Sequence, residues 1–481
     1  MLLASVIGYL LLSVAVGLYV ARNVKTSADY AVAGRHLALP VVTATVFATW
    51  FGSETVLGIS STFVEKGLHG IVADPFGASL CLILAGLFFA PKLYRLNLLT
   101  IGDYYRVRYN HVVEVFCSLC IIISYLGWVA AQISALGLIF KVLSDGAITQ
   151  QWGMLIGTAV VLTYTLFGGM LSVAVMDFIQ MSVIGGGLLY IGWLVSTMTG
   201  GVMPVIEHAE AAGKLRFFPE EFSYVLWVPF IGAFLTMMLG SIPQQDVFQR
   251  ITSAKDEKTA VRGAVLGGSL YFCFAFIPVF LAYGAVMIEP NVFGALITED
   301  SQMVLPTFVL NYTPVFAQVV FFGALISAIM STASATLLAP AVSFSENIFK
   351  VIFPNLDDKH FLLVMRISVF VFTGLVLAFA FNTESSIFEM VESAYQVTLA
   401  AAFVPLVFGL YWKRATTQGA IASIVVGVST WLLSSHVWVS EIWPPQLLGL
   451  VLGASTMIVA SLLPQWIPHR PLLRDGVVHP E

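Results

Sequence analysis

The chain has 481 residues, of which 58% are hydrophobic and only 10% are charged, and its mean hydropathy is +0.91. Soluble domains carry about 25% charged residues, so this composition excludes a soluble globular protein and predicts an all-α polytopic membrane protein. The net charge of -5 says little because most charges lie in loops, and no basic patch suits a nucleic-acid partner.

Apolar stretches separated by charged, Pro-containing or Gly-containing loops predict about thirteen transmembrane helices. They cover approximately residues 2–21, 37–62, 68–92, 112–143, 148–167, 171–199, 221–244, 260–288, 303–348, 362–382, 385–411, 417–437 and 446–465. The first stretch has no basic residues before it, which favours a retained helix over a cleaved signal peptide.

The positions of the basic residues predict the orientation of the chain. With the N-terminus outside, the inside loops collect all but four of the 22 Lys and Arg residues, including Arg250 and the tail residues Arg470 and Arg474. The four on the outside are Lys66, Lys141, Lys214 and Arg216. This bias predicts an outside N-terminus and a cytoplasmic C-terminus, and we expect the bacterial inner membrane. The inside segment 249–262 reads as a short amphipathic helix whose charges act as topological anchors.

The second apolar stretch, residues 37–62, is interrupted at its middle. Gly52 and Gly58 allow the helix to unwind, and the carboxylate of Glu54 lies near the centre of the stretch. A charge at that depth costs several kcal/mol and normally faces protein, an ion or water. Broken helices in membranes occur where the freed backbone groups line a cavity, so this stretch predicts half of a buried binding site.

A matching interruption lies in the seventh stretch, where Gly240 and Pro243 stand close together. Interrupted helices in matching positions indicate the two halves of an inverted-repeat transporter. We therefore predict two repeats with about five helices each. The predicted division is an extra N-terminal helix and loop (1–36), repeat one (37–199), an outside loop (200–220), repeat two (221–411), and two C-terminal helices with a short cytoplasmic tail (412–481).

Several polar residues lie inside the apolar stretches. Glu54 and Asp74 either face a vestibule or, if buried, suit a solute with an amine or hydroxyl groups. Asp177 is either a cap or salt-bridge partner near the Gly168-Gly169 turn or a carboxylate near an ion path. A hydroxyl cluster in the ninth stretch either permits close helix packing or supplies oxygens to a hard cation such as Na⁺. The cluster consists of Ser327, Ser331, Thr332, Ser334 and Thr336.

Two tryptophans, Trp50 and Trp128, lie toward the middle of their stretches. Tryptophan in membrane proteins is most often found in the interfacial belt. Because these two lie away from the interface, an aromatic cage for a cation is the alternative role.

Four segments resemble the sodium:solute symporter family: ATWFGSETVLG (48–58), YTLFGGMLSVAVMDFIQ (164–180), DVFQRITSAKDEKTA (246–260) and ALISAIMSTASATLL (324–338). Together with the number of spans, the resemblance covers nearly the whole chain. It implies the inverted-repeat fold of the bacterial leucine transporter, with one additional helix at the N-terminus.

The resemblance also implies a sodium site and possible solute ligands. The implied sodium ligands are the carbonyls of Ala48, Phe51 and Ala328 and the hydroxyls of Ser331 and Thr332. A second ion site would use Asp177 and Ser334, although Ala335 stands where that site needs a further hydroxyl. Solute-binding candidates are Trp50, Glu54, Asp74, Trp128, Gln244 and Phe388.

Within the family, the chain is most similar to the high-affinity choline transporter branch. Trp50 and Trp128 match two aromatic residues that enclose choline there, but Ala78, Gln244 and Phe388 leave much of the cage missing. Each cation–π contact is worth up to about 2 kcal/mol when desolvated, so the resemblance does not single out choline as the solute.

These observations predict a transporter rather than an enzyme: a Na⁺-coupled symporter that takes up a small polar organic solute such as an amine, an amino acid or a choline-like compound. The chain lacks a Walker A motif, which argues against direct ATP drive. Two alternatives remain, a transporter-like solute sensor and an H⁺-coupled symporter in which Asp177 or Glu54 carries the proton. The sequence does not fix the oligomeric state and is compatible with a monomer.

Overall fold

The computed structural model describes residues 2–440, 442–469, 471–474 and 477–478. Arg470 of the predicted tail lies outside these residues. The described chain is almost entirely helical, and its strands are one antiparallel pair near the C-terminus, β1 (Leu473–Arg474) and β2 (Val477–Val478).

The α-helices of the first half are α1 (Leu2–Ala21), α2 (Ser27–Val32), α3 (Leu39–Trp50), α4 (Ser60–Lys66), α5 (Ala78–Leu84), α6 (Ala90–Arg95), α7 (Ile101–Arg108), α8 (His111–Leu143), α9 (Gln150–Met198) and α10 (Val202–Ala211). Those of the second half are α11 (Tyr224–Gly240), α12 (Gln245–Thr252), α13 (Glu257–Ile288), α14 (Pro290–Asp300), α15 (Val304–Tyr312), α16 (Val315–Phe344), α17 (Lys350–Ile352), α18 (Asp358–Asn382), α19 (Ile387–Ala401), α20 (Phe403–Tyr411), α21 (Thr417–His436) and α22 (Pro445–Leu462). Wider π-turns cover Glu54–Ile59, Val72–Gly77, Ala85–Phe89 and Ser345–Phe349, and 3₁₀ turns cover Ala33–Arg35, Leu68–Ile71 and Ser301–Met303.

The number of membrane crossings agrees with the prediction. In the described residues, 9 helical runs are long and apolar enough to cross a membrane, and two bent pairs raise the number to 11. Helix α9 has 49 residues and is broken at Gly169, where φ is 50°. At about 1.5 Å per residue its length exceeds 70 Å, so α9 crosses twice. The interrupted run Leu39–Trp50 with α4 adds one more crossing, giving about thirteen.

Three boundaries differ from the sequence prediction. The stretch 303–348 is not continuous, because α15 ends at Tyr312 and α16 begins after Pro314, which has no backbone N–H to donate. The predicted outside loop 200–220 contains α10. The segment 249–262 is not one amphipathic helix; it comprises the end of α12 and, after the N-cap Asp256, the start of α13.

Both predicted interruptions are present, and the same order of elements follows each. A broken helix (α3–α4 or α11–α12) precedes a second crossing, a long third helix (α8 or α16), and two further crossings. Gly240 lies at the second break, where a Cβ would stand 2.5 Å from the carbonyl oxygen of Tyr395. Helices α21 and α22 pack together outside this arrangement. The repeat boundaries at 37–199 and 221–411 stay a prediction.

Candidate functional site

The backbone carbonyl of Ala48, near the end of α3, lacks its helical hydrogen-bond donor. The N–H of Gly52 donates to the Trp50 carbonyl (2.9 Å) instead of bonding four residues back to Ala48. The hydroxyl of Thr332 on α16 donates to the Ala48 carbonyl at 3.2 Å. The break in the first repeat therefore directly contacts the hydroxyl-bearing helix of the second, as the predicted sodium site requires.

The other predicted sodium ligands are buried around this contact. Phe51 and Ala328 are fully buried, and Phe51 has non-helical backbone angles (φ -81°, ψ 72°). The hydroxyl of Ser331 donates to the carboxylate of Asp177. A hydroxyl that donates its proton in this way keeps its oxygen lone pairs for a cation.

Asp177 lies in an ion pair with Arg250. Its carboxylate accepts from the hydroxyl of Thr45, and the Nη2 atom of Arg250 lies 3.8 Å away. The hydroxyl of Ser334 instead donates to the backbone carbonyl of Ser331 at 2.9 Å. Ser331 therefore joins Asp177 to the predicted sodium ligands, and Arg250 supplies a cationic partner that the sequence prediction did not include.

Arg250 is only 1% exposed, although the sequence analysis counted it among the charges of an inside loop. Its Nε atom donates to the Thr45 carbonyl at 2.6 Å, and its Nη1 atom lies 3.5 Å from Asp246. Asp246 in turn accepts from the hydroxyl of Tyr125 on α8. Arg250 is thus a charged link between α3, α9 and α12, not a topological anchor.

Glu54 is also fully buried, but its partners are neutral. Its Oε1 atom accepts from the indole N–H of Trp128 at 3.2 Å, and its Oε2 atom accepts from the amide of Gln132 at 2.6 Å. The Gln132 carbonyl oxygen accepts from the backbone N–H of Ser53 at 3.0 Å. The first break and α8 therefore hold the Glu54 side chain in place without a positive charge.

The two predicted cage tryptophans stack directly on each other. The ring centroids of Trp50 and Trp128 lie 5.0 Å apart with planes 21° from parallel, and Tyr395 packs edge-on against both at 5.3 and 5.5 Å. Rings this close leave no space for a cation between them. In this conformation, the aromatic group closes the site instead of enclosing a ligand.

The remaining solute-site candidates surround this centre at greater distance. Asp74 accepts from the hydroxyl of Tyr271 at 2.5 Å, and that hydroxyl lies 3.1 Å from Thr55 Oγ1, next to Glu54. Gln244 donates to Ser124, one turn before Trp128 on α8, at 3.0 Å.

Phe388 lies on the other side of the broken helix, 3.5 Å from the position of a Cβ on Gly58. The sequence prediction missed Gln132, Tyr271 and Tyr395. A signal existed for Gln132, since it lies four residues after Trp128 and therefore shares its helix face.

Two cavities lie beside the core helices, and the predicted site residues line neither of them. An apolar cavity of about 610 Å³ lies between α4, α9, α10 and α13, and none of the predicted site residues line it. A polar cavity of about 210 Å³ is lined by Ser134, two residues beyond Gln132, and by Gln150, Asp300 and Gln302. The second cavity borders helix ends that the charge pattern places outside the membrane.

Comparison with known proteins supports this arrangement. The model of the sodium:solute symporter family matches residues 30–427. The human high affinity choline transporter 1 is 28% identical over 455 residues, covering 89% of this chain and 75% of the relative. The osmoregulated proline transporter OpuE of Bacillus subtilis is 24% identical, covering 95% and 93%.

Solved structures show the same fold. A Na⁺-coupled sialic acid symporter in a substrate-bound outward-open state is similar with a TM-score of 0.83 at 20% identity, covering 98% of this chain and 99% of the other. A nucleobase-cation-symport-1 family transporter in a closed conformation gives a TM-score of 0.57, covering 90% and 94%. The chain has the leucine-transporter-like fold and belongs to the sodium:solute symporter family, so it is an integral membrane protein that couples solute transport to Na⁺.

Proposed function

We propose that this protein imports a small polar organic solute, such as an amine, an amino acid or a choline-like compound, across the bacterial inner membrane together with Na⁺. The observation that carries the proposal is the contact between the Thr332 hydroxyl and the freed Ala48 carbonyl at 3.2 Å. It brings the broken helix of one repeat to the hydroxyl helix of the other at the depth where transporters bind their coupling ions.

Sodium would be held by the carbonyls of Ala48, Phe51 and Ala328 and the hydroxyls of Ser331 and Thr332. A hard cation takes several oxygen ligands, and none of these five groups needs to lose a proton to bind it. Because the ligands lie on α3 and α16, a bound ion would stabilise the conformations in which these helices are close. Coupling follows if the solute stabilises the same conformations.

A second ion site at Asp177 and Ser334 would share the carboxylate of Asp177 with Arg250. The guanidinium of Arg250 already provides a positive charge 3.8 Å from Asp177. We infer that Asp177 acts on the first site indirectly, by orienting the hydroxyl of Ser331.

The solute would bind between the two broken helices, near Trp50, Glu54, Asp74, Trp128, Gln244 and Phe388. The choline and proline transporters among the relatives are compatible with a small solute that carries nitrogen. We infer that the polar cavity at Ser134 is the entrance for the solute, because the charge pattern places the helix ends that line it outside the membrane.

Thr332→Ala tests the sodium site, with Thr336→Ala as the matched control. Thr336 is buried one turn further along α16, and its hydroxyl donates to the Thr332 carbonyl at 2.8 Å. In proteoliposomes, we expect Thr332→Ala to raise the Na⁺ concentration for half-maximal uptake at least about tenfold, corresponding to about 1.4 kcal/mol, and Thr336→Ala to leave it unchanged. An unchanged value in Thr332→Ala would remove this site.

The same preparation separates the two alternative functions. Uptake driven by a pH gradient in Na⁺-free medium would indicate H⁺ coupling. Binding of a solute without any flux would indicate a sensor.

A further inference from the structure

The apolar cavity of about 610 Å³ lies beside the first broken helix and takes its walls from four helices. Phe63 lines it from α4, Trp193 from α9 and Tyr283 from α13. The rings of Phe63 and Tyr283 pack edge-on with centroids 5.7 Å apart, so α4, the second half of the broken helix, is a fixed part of the wall. Helix α10 contributes four residues that share one helix face, namely Val202, Val205, Ile206 and Ala209.

This cavity opens sideways, toward lipid. Leu189 and Trp193 line it from α9, and they are 57% and 62% exposed. Helices α9 and α13 are both long and apolar enough to cross the membrane, so apolar side chains exposed along them face acyl chains and not water.

The dimensions of the cavity match one acyl chain. Along α9 the lining runs from Leu188 to Ser196, which at about 1.5 Å per residue is about 12 Å. One leaflet of the hydrocarbon core is about 15 Å thick. The cavity therefore spans most of one leaflet, on the side of the membrane that the charge pattern makes the outer one.

Water and a polar solute are poor occupants of this cavity. The polar side-chain groups of its wall are the hydroxyls of Ser196 and Tyr283 and the indole N–H of Trp193. The Tyr283 hydroxyl is already bonded to Nδ1 of His208 at 3.0 Å. A buried water needs about two to four polar partners, so the adjoining lipid is the better match to the wall.

Two lysines stand at the end of the cavity that the charge pattern places outside. Leu68 and Leu215 line the cavity there, and the N–H of Leu68 donates to the carbonyl of Lys214 at 2.8 Å, which ties the two segments together. Lys66 and Lys214 therefore lie within two residues of the wall. Ammonium groups at the surface of a bilayer attract the phosphates of its lipids.

Acidic residues in the same region limit how much negative charge the site can take. Glu220 is paired with Arg216, whereas Glu65, Glu207 and Glu210 are exposed. A single phosphate, and not a cluster of anionic head groups, is the charge that fits two lysines in this setting.

We propose that this cavity is a phospholipid site, in which one acyl chain lies between α4, α9, α10 and α13 and the phosphate lies against Lys66 and Lys214. Lipid tails are as apolar as the wall, so the hydrophobic effect does not select the occupant. Selection comes from the fit of the chain and from the phosphate. A chain held against Phe63 supports α4 from the side, so the site links the surrounding membrane to the broken helix.

The test uses the purified full-length protein in detergent, washed free of lipid and titrated with dioleoyl phosphatidylglycerol. Native mass spectrometry counts the phospholipid molecules that stay bound to each protein. We expect the wild type to retain one molecule at least about tenfold more tightly than any further one. Dioleoylglycerol, which has the same chains without the phosphate, should bind at least about tenfold more weakly, and Lys66→Gln combined with Lys214→Gln should remove that difference.

Gly192→Leu fills the cavity from α9, and a Cβ atom at this position meets its nearest neighbour at 3.6 Å, so the side chain enters without a clash at its base. Gly186→Leu is the matched control, because it adds the same side chain to the same helix at a position that does not line the cavity and has no atom within 4 Å. We expect Gly192→Leu to weaken retention of the first phospholipid at least about tenfold and Gly186→Leu to leave it unchanged. If Gly192→Leu does not yield monodisperse protein, Ser196→Leu on the same wall takes its place.

Two results would overturn the proposal. Equal retention in the wild type, Gly192→Leu and Gly186→Leu would mean that lipid only surrounds the helices. Equal retention of phosphatidylglycerol and dioleoylglycerol would mean that the two lysines do not hold a phosphate. Neither measurement involves Na⁺ or solute, so a failure here leaves the proposed function untouched, and a failure of Na⁺-dependent uptake leaves this site untouched.

Discussion

Two buried carboxylates in the centre of this transporter have opposite electrostatic surroundings. Asp177 has the guanidinium of Arg250 3.8 Å away, whereas Glu54 has only the neutral donors Trp128 and Gln132. Both carboxylates are fully buried. The first charge is balanced by a fixed guanidinium, while the second has no basic partner among the described residues.

The difference assigns separate roles to two regions of the same site. Through Arg250, the region around Asp177 links three helices with a permanent ion pair, which suits a part of the molecule that keeps its arrangement. The region around Glu54 lies at the break in the first repeat, where helix ends can rearrange at smaller cost.

The largest effect should follow from breaking the fixed pair. Arg250→Gln leaves Asp177 and Asp246 buried without a cation, and breaking a buried ion pair by removing one partner costs about 3–5 kcal/mol. We expect a large fall in the apparent melting temperature of the purified protein. Arg95→Gln is the control, because its ion pair with Glu257 lies at the exposed surface, and such pairs contribute about 0–1 kcal/mol.

A double variant sharpens this prediction. Asp177→Asn together with Arg250→Gln should cost less than the two single changes added together, since residues of one ion pair interact by about 0.5–3 kcal/mol. Simple additivity would mean that the pair does not contribute to stability.

A smaller effect of opposite sign is expected at the other carboxylate. In Na⁺-free buffer, Glu54→Gln removes an unbalanced buried charge and should raise the free energy of unfolding by about 1–2 kcal/mol. Asp177→Asn should lower it, because Arg250 then loses one of its two carboxylates. Apparent melting temperatures without Na⁺ measure both, and a fall in Glu54→Gln would contradict the comparison.

The sequence predicted the features that depend on local chemistry. The number of crossings follows from apolar stretches, and the two breaks follow from glycine and proline at positions where a helix loses its hydrogen bonds. The contact between Ala48 and Thr332 was predicted from the family resemblance, which implied that these two residues of distant helices bind the same ion.

The features that the sequence did not predict depend on how the helices are rotated against each other. Arg250 follows a predicted span and was counted as a surface charge, because hydropathy cannot show that α12 carries it back into the core. Gln132 is one polar residue in a long apolar helix, and only the fold places its amide beside Glu54. The break at Pro314 was missed because apolar residues resume directly after Asn311, Thr313 and Pro314.

A third buried charge extends the comparison to a cation without a carboxylate. Arg108 on α7 is 7% exposed, and the acceptors around it are neutral. They are the carbonyls of Gly409 and Ala415 and the Nε2 atom of His469, each at 2.9 Å. His469 belongs to the segment after α22, so this contact attaches the C-terminal tail to the end of α7.

The attachment of the C-terminal tail should depend on pH, and this is the smallest of the expected effects. Burial, with a further contribution from the Arg108 guanidinium, lowers the pKa of His469 to about 4, against about 6.5 for a free histidine. The neutral ring therefore stabilises the docked tail above pH 6.5. This stabilisation is lost as the pH falls from 6.5 toward 4, because the undocked tail takes up a proton first.

Hydrogen exchange at the amide of Trp466, which donates to Gln418 at 2.8 Å, measures the docking directly. Between pH 7 and pH 5, after correction for the intrinsic rate, we expect protection to fall about tenfold. The limit is about 25-fold for a ring that does not titrate when docked, and His469 is only half-buried. His469→Gln keeps a neutral side chain at every pH, so its protection should be weaker but constant across this range. If the variant shows the same pH dependence as the wild type, a group other than His469 controls the docking.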